Sequence, residues 1–157
     1  MKRLLIALAL GLAGCGFQPV YAPGSSASFE AGYVKVEPIA GRSGYMLRRA
    51  LQQELAIGLP NLETQATLNV ILKEELTRLA FKPDGAASRS TLLARGEYVL
   101  ATDEGVISGR VEADTSFAVP DQPYGDISAQ TNATDRAMRQ LAKRIVDDLR
   151  LKLSTAD

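Results

Sequence analysis

The sequence contains no histidine, and it has a single cysteine among its 157 residues. The absence of histidine removes the commonest general base and zinc ligand, together with every Ser–His or Cys–His nucleophile pair. A lone cysteine excludes an intrachain disulfide framework and any site with several cysteine ligands. An excess of one charge is also missing, because 18 basic and 18 acidic residues cancel. The net charge therefore produces no overall electrostatic field that would attract nucleic acid or an anionic membrane surface. The missing histidine and the single cysteine together disfavour most classes of enzyme.

Two adjacent carboxylate pairs are the remaining candidates for catalysis, since paired carboxylates can act without histidine. They are Glu74-Glu75 and Asp147-Asp148. Neighbouring residues point to opposite faces of a strand and diverge by about 100° on a helix, so neither pair converges on a substrate. We predict that the chain is not an enzyme. We also predict that it holds no metal, and no cofactor other than a covalent lipid.

The longest apolar run is too short to cross a membrane. Leu4 to Ala13 follows the basic Met1-Lys2-Arg3, and its ten residues reach only about 15 Å as a helix, half of a bilayer core. Such a run fits a secretory signal peptide. Leu12-Ala13-Gly14-Cys15 then matches the bacterial lipobox, in which the cysteine thiol receives a diacylglycerol after export. We predict a signal peptide at 1–14 and lipidation of Cys15.

The predicted anchor places the rest of the chain at a membrane surface. Several acyl chains on one cysteine would hold it there essentially permanently, because each buried CH₂ contributes roughly 0.8 kcal/mol. Gly16 follows the cysteine, not the aspartate that retains many lipoproteins at the inner membrane, so the outer membrane is favoured. Residues 15–30, with their Ser/Gly run, are predicted to be the lipidated N-terminus and linker. Residues 31–157 are predicted to form one domain.

Hydrophobic periodicity predicts an α+β domain. A helix with Ser43 as N-cap, ending at Gly58, carries Leu47, Leu51 and Leu55 on one apolar stripe. A long C-terminal helix carries Ala137, Leu141, Ile145 and Leu149 at the same spacing. The remaining elements are strands at 33–39, 66–79, 92–100 and 107–117, with loops at 80–89 and 120–126 and the second helix over about 127–153. The order β-α-β-β-β-α predicts a two-layer sandwich, with two helices on one face of a four-stranded, mostly antiparallel or mixed sheet.

The start of the predicted mature chain resembles a known family. Cys15-Gly16-Phe17, followed by Pro19 and Tyr21, is similar to the opening of the LptE lipoproteins, which act in lipopolysaccharide assembly. The mature length, the order of elements and the segment from Gly44 to Leu51 agree with that family. The resemblance implies an outer-membrane lipoprotein that inserts into the β-barrel protein LptD, plugs it and aids its assembly. It also implies that the protein binds lipopolysaccharide and carries out no covalent chemistry.

Five basic residues are candidate contacts for the phosphates of lipopolysaccharide, because guanidinium groups can bind phosphate in a bidentate manner. They lie on or near predicted strand ends and loops: Arg78, Lys82, Arg89, Arg95 and Arg110. The alternative for each of them is a solvated face of mixed charge. A polar sheet surface also suits a plug, since barrel lumens are polar.

Two other classes of protein share this size, anchor and fold. One is an auxiliary binding lipoprotein of a lipid-trafficking transporter or of the barrel-assembly machinery. The other is a structural lipoprotein without a partner. The Gly-Phe-x-Pro-x-Tyr segment at 16–21 is the feature that favours the LptE interpretation.

Overall fold

The computed structural model describes residues 33–155. Cys15, the predicted signal peptide and the predicted linker therefore lie outside the described residues. Within them, four strands and two long helices follow the predicted order β-α-β-β-β-α. The elements are β1 (Val34–Val36), α1 (Gly41–Glu54, continued by a 3₁₀ turn at Leu55–Ile57), β2 (Ala66–Phe81), β3 (Ala87–Thr102), β4 (Gly105–Ala118) and α2 (Pro123–Ser154).

The strands form one mixed sheet in the order β1-β2-β3-β4. β1 is parallel to β2 but pairs only with Ala66–Leu68, because it ends after three residues and Pro38 follows shortly afterwards. β2, β3 and β4 are antiparallel neighbours over nearly their whole lengths. The predicted α+β fold with a four-stranded mixed sheet is confirmed.

One face of the sheet packs against both helices and forms the core. The predicted stripes of α1 and α2 are buried there, and so are the even-numbered residues of β3. Gly96 on β3 shows how close this packing is, since a Cβ at that position would lie 3.2 Å from Cδ1 of Ile145. Both helices of the described region thus lie on one face, and no helix of that region lies on the other. The largest fully buried side chains are Tyr98, Leu47, Leu51, Leu68, Leu100, Met138, Leu141, Ile145, Leu149 and Val146.

Several predicted boundaries were wrong. Ser43 is not the N-cap of α1; the cap is Ala40, and Gly41 enters the helix with φ of +82°, a left-handed conformation that glycine adopts readily. The helix α2 begins at Pro123 within the predicted 120–126 loop, because proline is favoured at a first helical position, where an amide hydrogen has no helical partner. The first strand covers only three of the seven predicted residues.

The predicted loop at 80–89 is much shorter in the structure. β2 continues to Phe81 and β3 begins at Ala87, because the two strands stay paired to this point despite register shifts between Arg78 and Phe81. The remaining turn is closed by hydrogen bonds from Lys82 N to Ala86 O (2.8 Å) and from Gly85 N to Lys82 O (2.9 Å). The Asp84 carboxylate accepts a third bond from Ala86 N, and Gly85 has φ of +84°. Local turn chemistry explains why five residues suffice.

Candidate functional site

On the face of the sheet that carries no helix of the 33–155 region, a central group of charged side chains lies beside the exposed apolar residues Ile71, Val99 and Val106. We call this side of the sheet the polar face and define it by six residues that project from β2, β3 and β4: Lys73, Glu75, Arg95, Glu97, Arg110 and Glu112. They are joined across the strands into two ion-pair groups. Such exposed pairs contribute little to stability individually, about 0–1 kcal/mol. Their main effect is to present a dense set of hydrogen-bonding groups on a flat surface.

The first ion-pair group is centred on Arg95 of β3. Its Nε atom donates to Oε1 of Glu112 at 2.9 Å, and its Nη1 atom donates to Oε2 of Glu75 at 3.2 Å. The hydrogen bond to Glu112 is the largest of several effects that raise the pKa of Arg95 above its ordinary value. One arginine thereby bridges both neighbouring strands.

The second group is centred on Glu97, two residues further along β3. Its Oε1 atom lies 3.2 Å from Nζ of Lys73 and 3.0 Å from Nη2 of Arg110. The hydrogen bond from Lys73 is the largest effect holding the pKa of Glu97 below its ordinary value. The first group has a positive residue at its centre and the second a negative one, so positive and negative charges alternate across the polar face.

A cavity of about 630 Å³ lies at the end of the sheet near the β2–β3 turn. We call it the tip cavity; its lining includes Arg78, Lys82, Ser90, Asp121 and Asp126. Lys82 is paired with Asp121, and Asp126 lies in the first turn of α2, where the helix dipole favours a carboxylate. Asp84 also lines the cavity, which therefore contains two cations and three carboxylates. This surface is not uniformly basic.

The structure does not bring the five predicted basic residues into one cluster. Arg95 and Arg110 lie on the polar face and Lys82 lies at the tip, and each is paired with carboxylates. The side chains of Arg78 and Arg89 have no hydrogen bond or ion pair with any residue in the 33–155 range, although both backbones belong to the sheet. Both lie at the tip end of the sheet, but on opposite faces, because Arg78 pairs in register with the buried Ser90 and Arg89 precedes it. No local sequence signal separates the paired arginines from the unpaired ones.

The carboxylate pairs diverge, as their spacing predicts. Glu75 binds Arg95 on the polar face, whereas Glu74 projects from the opposite face of β2. Asp147 contacts Lys143 and Arg150 at the surface, whereas Asp148 faces the sheet.

Sequence reasoning missed a polar cluster beneath α2. The Tyr98 hydroxyl donates to Asp148, and Nζ of Lys152 donates to the Tyr98 hydroxyl at 3.0 Å and to Oδ2 of Asp148 at 2.8 Å. Lys152 also donates to the carbonyl oxygen of Ser108 on β4 at 2.8 Å. The only local signal was Asp148 and Lys152 at i,i+4 spacing on a helix.

The cluster shifts the pKa values of its members. Burial is the largest effect on the Tyr98 phenol and raises its pKa. Burial also acts to raise the pKa of Asp148, but the hydrogen bonds from Lys152 and Tyr98 outweigh it, and the pKa is lowered. The hydrogen bond to Asp148, followed by that to Tyr98, raises the pKa of Lys152. The ion pair is therefore retained at neutral pH.

These shifts predict how stability depends on pH. A folded pKa of Asp148 below its ordinary 3.8 gives a contribution that is complete above that value and is lost as the pH falls through the folded pKa. A folded pKa of Lys152 above its ordinary 10.5 gives a contribution that is lost as the pH rises beyond it. Asp148→Asn should therefore lower the urea midpoint at pH 7 more than at pH 3. An equal loss at both pH values would contradict a stabilising ionised Asp148.

None of the helices in the described part of the chain is both long and apolar enough to span a membrane. The fold is that of a small α+β domain with one helix-covered face and one ion-paired face. Solved structures with this architecture are known. A candidate lipoprotein from Caulobacter crescentus CB15 is 26% identical with a TM-score of 0.63, and the match covers 78% of this chain and 91% of that one.

Rare lipoprotein B from Shewanella oneidensis (13% identity, TM-score 0.59) is similar over 76% of this chain and 93% of its own. A minor lipoprotein from Acinetobacter baumannii (12% identity, TM-score 0.55) matches over the same two shares. At these identities the likeness concerns the fold alone.

No functionally curated protein matches the sequence. The sequence profile of the LptE family, described as lipopolysaccharide-assembly, matches residues 31–149. The chain therefore belongs to the LptE family of lipopolysaccharide-assembly lipoproteins, a family without catalytic activity.

Proposed function

We propose that this protein forms a complex with the outer-membrane β-barrel protein LptD, plugs it, and aids the assembly of lipopolysaccharide at the outer-membrane surface. Family membership over residues 31–149 supports this proposal, and so does the resemblance of the 15–21 segment. The observation that carries it is the polar face, where two ion-pair groups present charged hydrogen-bonding groups on a surface that no helix of residues 33–155 covers. A surface of this kind is complementary to the polar lumen of a barrel.

The same proposal includes lipopolysaccharide as the ligand, bound without covalent chemistry. Lys82, Arg95 and Arg110 have carboxylate partners that compensate their charge. Arg78 and Arg89 have none in the described range, so they can give up water to a phosphate without first breaking an ion pair. We therefore place them first among the five basic candidates. Lys82, Arg95 and Arg110 are assigned mainly to the architecture of the tip and of the polar face.

The proposal also assigns an acylated Cys15 and an outer-membrane location to the protein. Acyl chains on this cysteine would keep the domain at the membrane while it meets its partner. In cells that lack LptD, a Cys15→Ala chain should appear in the periplasmic fraction. A Cys15→Ala chain that still sediments with membranes in those cells would contradict the lipid anchor.

The test of the partner is a mild-detergent pull-down of the full-length chain from its native membranes, with mass spectrometry of the bound proteins. We expect a stoichiometric large β-barrel and co-purifying lipopolysaccharide. With an Arg95→Glu/Arg110→Glu chain, the amount of barrel protein recovered should fall strongly. The substitutions place like charges beside Glu75, Glu97 and Glu112 on the polar face.

The matched control reverses two arginine or lysine charges on the exposed side of α2. Arg139 and Lys143 form only i,i+4 pairs with Asp135 and Asp147, so Arg139→Glu/Lys143→Glu should retain the barrel. Equal recovery with both double variants would exclude the polar face as the contact surface. Recovery of inner-membrane transporter subunits in place of a barrel would identify the auxiliary lipoprotein instead.

A further inference from the structure

The two edges of the sheet differ in how their backbone groups are used. On the β4 edge, two side chains of α2 reach over the strand. Lys152 donates to the carbonyl oxygen of Ser108 at 2.8 Å, and Arg144 donates to that of Glu112. These contacts occupy outward carbonyl groups and bring positive charge to the edge, which discourages a further strand from pairing there.

The opposite edge is open over most of its length. β1 pairs with β2 only at Ala66–Leu68, and within residues 33–155 no other strand continues along β2. The hydrogen bonds from Ala66 N to Tyr33 O and from Glu37 N to Leu68 O show that the even-numbered residues of β2 direct their backbone groups toward this edge. Since the direction alternates along a strand, Leu72, Glu74, Leu76 and Arg78 offer unpaired N–H and C=O groups there.

The side chains along the open edge are self-complementary in one antiparallel register. We propose that the open edge of β2 pairs with the same edge of a second copy of this chain, about a two-fold axis at Leu76. In that register Glu74 of each copy lies opposite Arg78 of the other copy. Leu76 lies opposite Leu76 of the second copy. The side chains of Glu74 and Arg78 have no hydrogen bond or ion pair with other described residues, and Leu76 is 46% exposed. Two new ion pairs and one apolar contact therefore form together.

The neighbouring registers are unfavourable for electrostatic reasons. A two-fold axis at Glu74, Glu75 or Arg78 would place each of these charges directly opposite its own equivalent, and like charges directly opposite destabilise a strand pair. An axis at Thr77 would create no ion pair. Among these, only the Leu76 register opposes unlike charges without placing a charge opposite its own equivalent, and it joins even-numbered residues whose backbone groups point outward. A closed two-fold interface of this kind stops at a dimer, because it consumes the open edge of both copies.

The dimer goes beyond the proposed barrel complex, because it uses the edge of β2 and not the polar face. It involves Arg78 in an ion pair, so phosphate binding at Arg78 and dimer formation exclude one another. A lipidated chain without its barrel would thus keep its exposed edge covered by a second copy.

The test uses the full-length chain, purified in detergent without its barrel. A two-fold axis at Leu76 brings the two equivalent Cα atoms to about 5.5 Å, which a disulfide can span. Leu76→Cys should therefore give a disulfide-linked dimer under mild oxidation. Thr77→Cys is the matched control, because its equivalents would be about 8 Å or more apart, beyond disulfide reach. The unsubstituted chain controls for disulfides formed by any fraction of the protein whose Cys15 is not acylated.

Exchanging the charges at positions 74 and 78 distinguishes a loss of strand pairing from a loss of folding. Glu74→Arg alone should raise the dimer dissociation constant about tenfold or more in sedimentation, because it sets like charges opposite each other twice per dimer. The double variant Glu74→Arg/Arg78→Glu should restore dimerisation. A monomer at all concentrations, equal cross-linking at both cysteine positions, or no rescue by the double variant would overturn the proposal. Cross-linking of the Leu76→Cys chain to a different protein alone would also overturn it.

Discussion

Gly44→Ala should strongly destabilise the fold, by about 3 kcal/mol. Gly44 is buried on α1 where the helix passes over the segment leaving β1. A Cβ at this position would lie 2.6 Å from the carbonyl oxygen of Ile39 and 2.8 Å from its carbonyl carbon. Because backbone atoms of a connection cannot rotate away as a side chain does, α1 must separate from β1. That displacement opens the core around Leu47 and Leu51, both fully buried.

The measurement is the urea midpoint of the Gly44→Ala chain, followed by circular dichroism. Arg49→Ala is the matched control, because it lies on the exposed side of the same helix and introduces the same residue type. The control should change stability by less than about 0.5 kcal/mol. A midpoint for Gly44→Ala close to that of the control would show that α1 and its connection do not pack as tightly as described.

The second large effect is expected for Gly109→Ala on β4. Gly109 lies directly opposite Tyr98 on β3, and a Cβ there would lie 2.4 Å from the tyrosine hydroxyl oxygen and 2.5 Å from Nζ of Lys152. The lysine terminus is flexible, but the Tyr98 ring is only 1% exposed and is enclosed by the core. The ring must move, and its hydrogen bond to Asp148 is lost with it. We expect a loss of about 2–4 kcal/mol.

The coupling between Gly109 and Tyr98 provides the decisive control. Tyr98→Leu removes both tyrosine atoms that the new Cβ would strike, the hydroxyl oxygen at 2.4 Å and the ring carbon Cζ at 2.6 Å. The double variant should therefore lose less stability than the sum of the two single variants. Ser108→Ala, on the adjacent exposed position of β4, should be nearly neutral. Simple additivity of Gly109→Ala and Tyr98→Leu would show that the tyrosine side chain is not what excludes a side chain at Gly109.

The fold was predictable because periodicity and burial agree along most of the chain. Leu47 and Leu51 on α1, and Leu141 and Ile145 on α2, recur at helical spacing, and all four are fully buried. Alternation on β3 likewise predicted which residues face the helices. Boundaries were less predictable, since they depend on single backbone conformations such as the left-handed one at Gly41 and on strand partners distant in sequence.

The candidate site was only partly predictable for a related reason. A sequence shows that Arg78 and Arg95 are both basic, but not that Glu75 and Glu112 neutralise one of them and leave the other unpaired. The register of β2, β3 and β4 determines those partners, and register arises from pairing over the whole sheet. The Tyr98–Asp148–Lys152 cluster was missed because Tyr98 lies 50 residues from Asp148 and 54 residues from Lys152 in the sequence.

The sequence by itself predicted the class of the chain, from a segment that matches a lipobox at Cys15, an α+β order of elements, two amphipathic helices and an LptE-like segment after Cys15. These features are local, since each depends on the spacing of residues within one segment. The tertiary structure alone decided that one sheet face carries linked ion pairs, that α2 blocks the β4 edge, and that no strand of the 33–155 region pairs with β2 beyond Leu68 on its β1 side. Those properties require distant strands and helices to meet, because each depends on which charges and backbone groups find a partner across the fold.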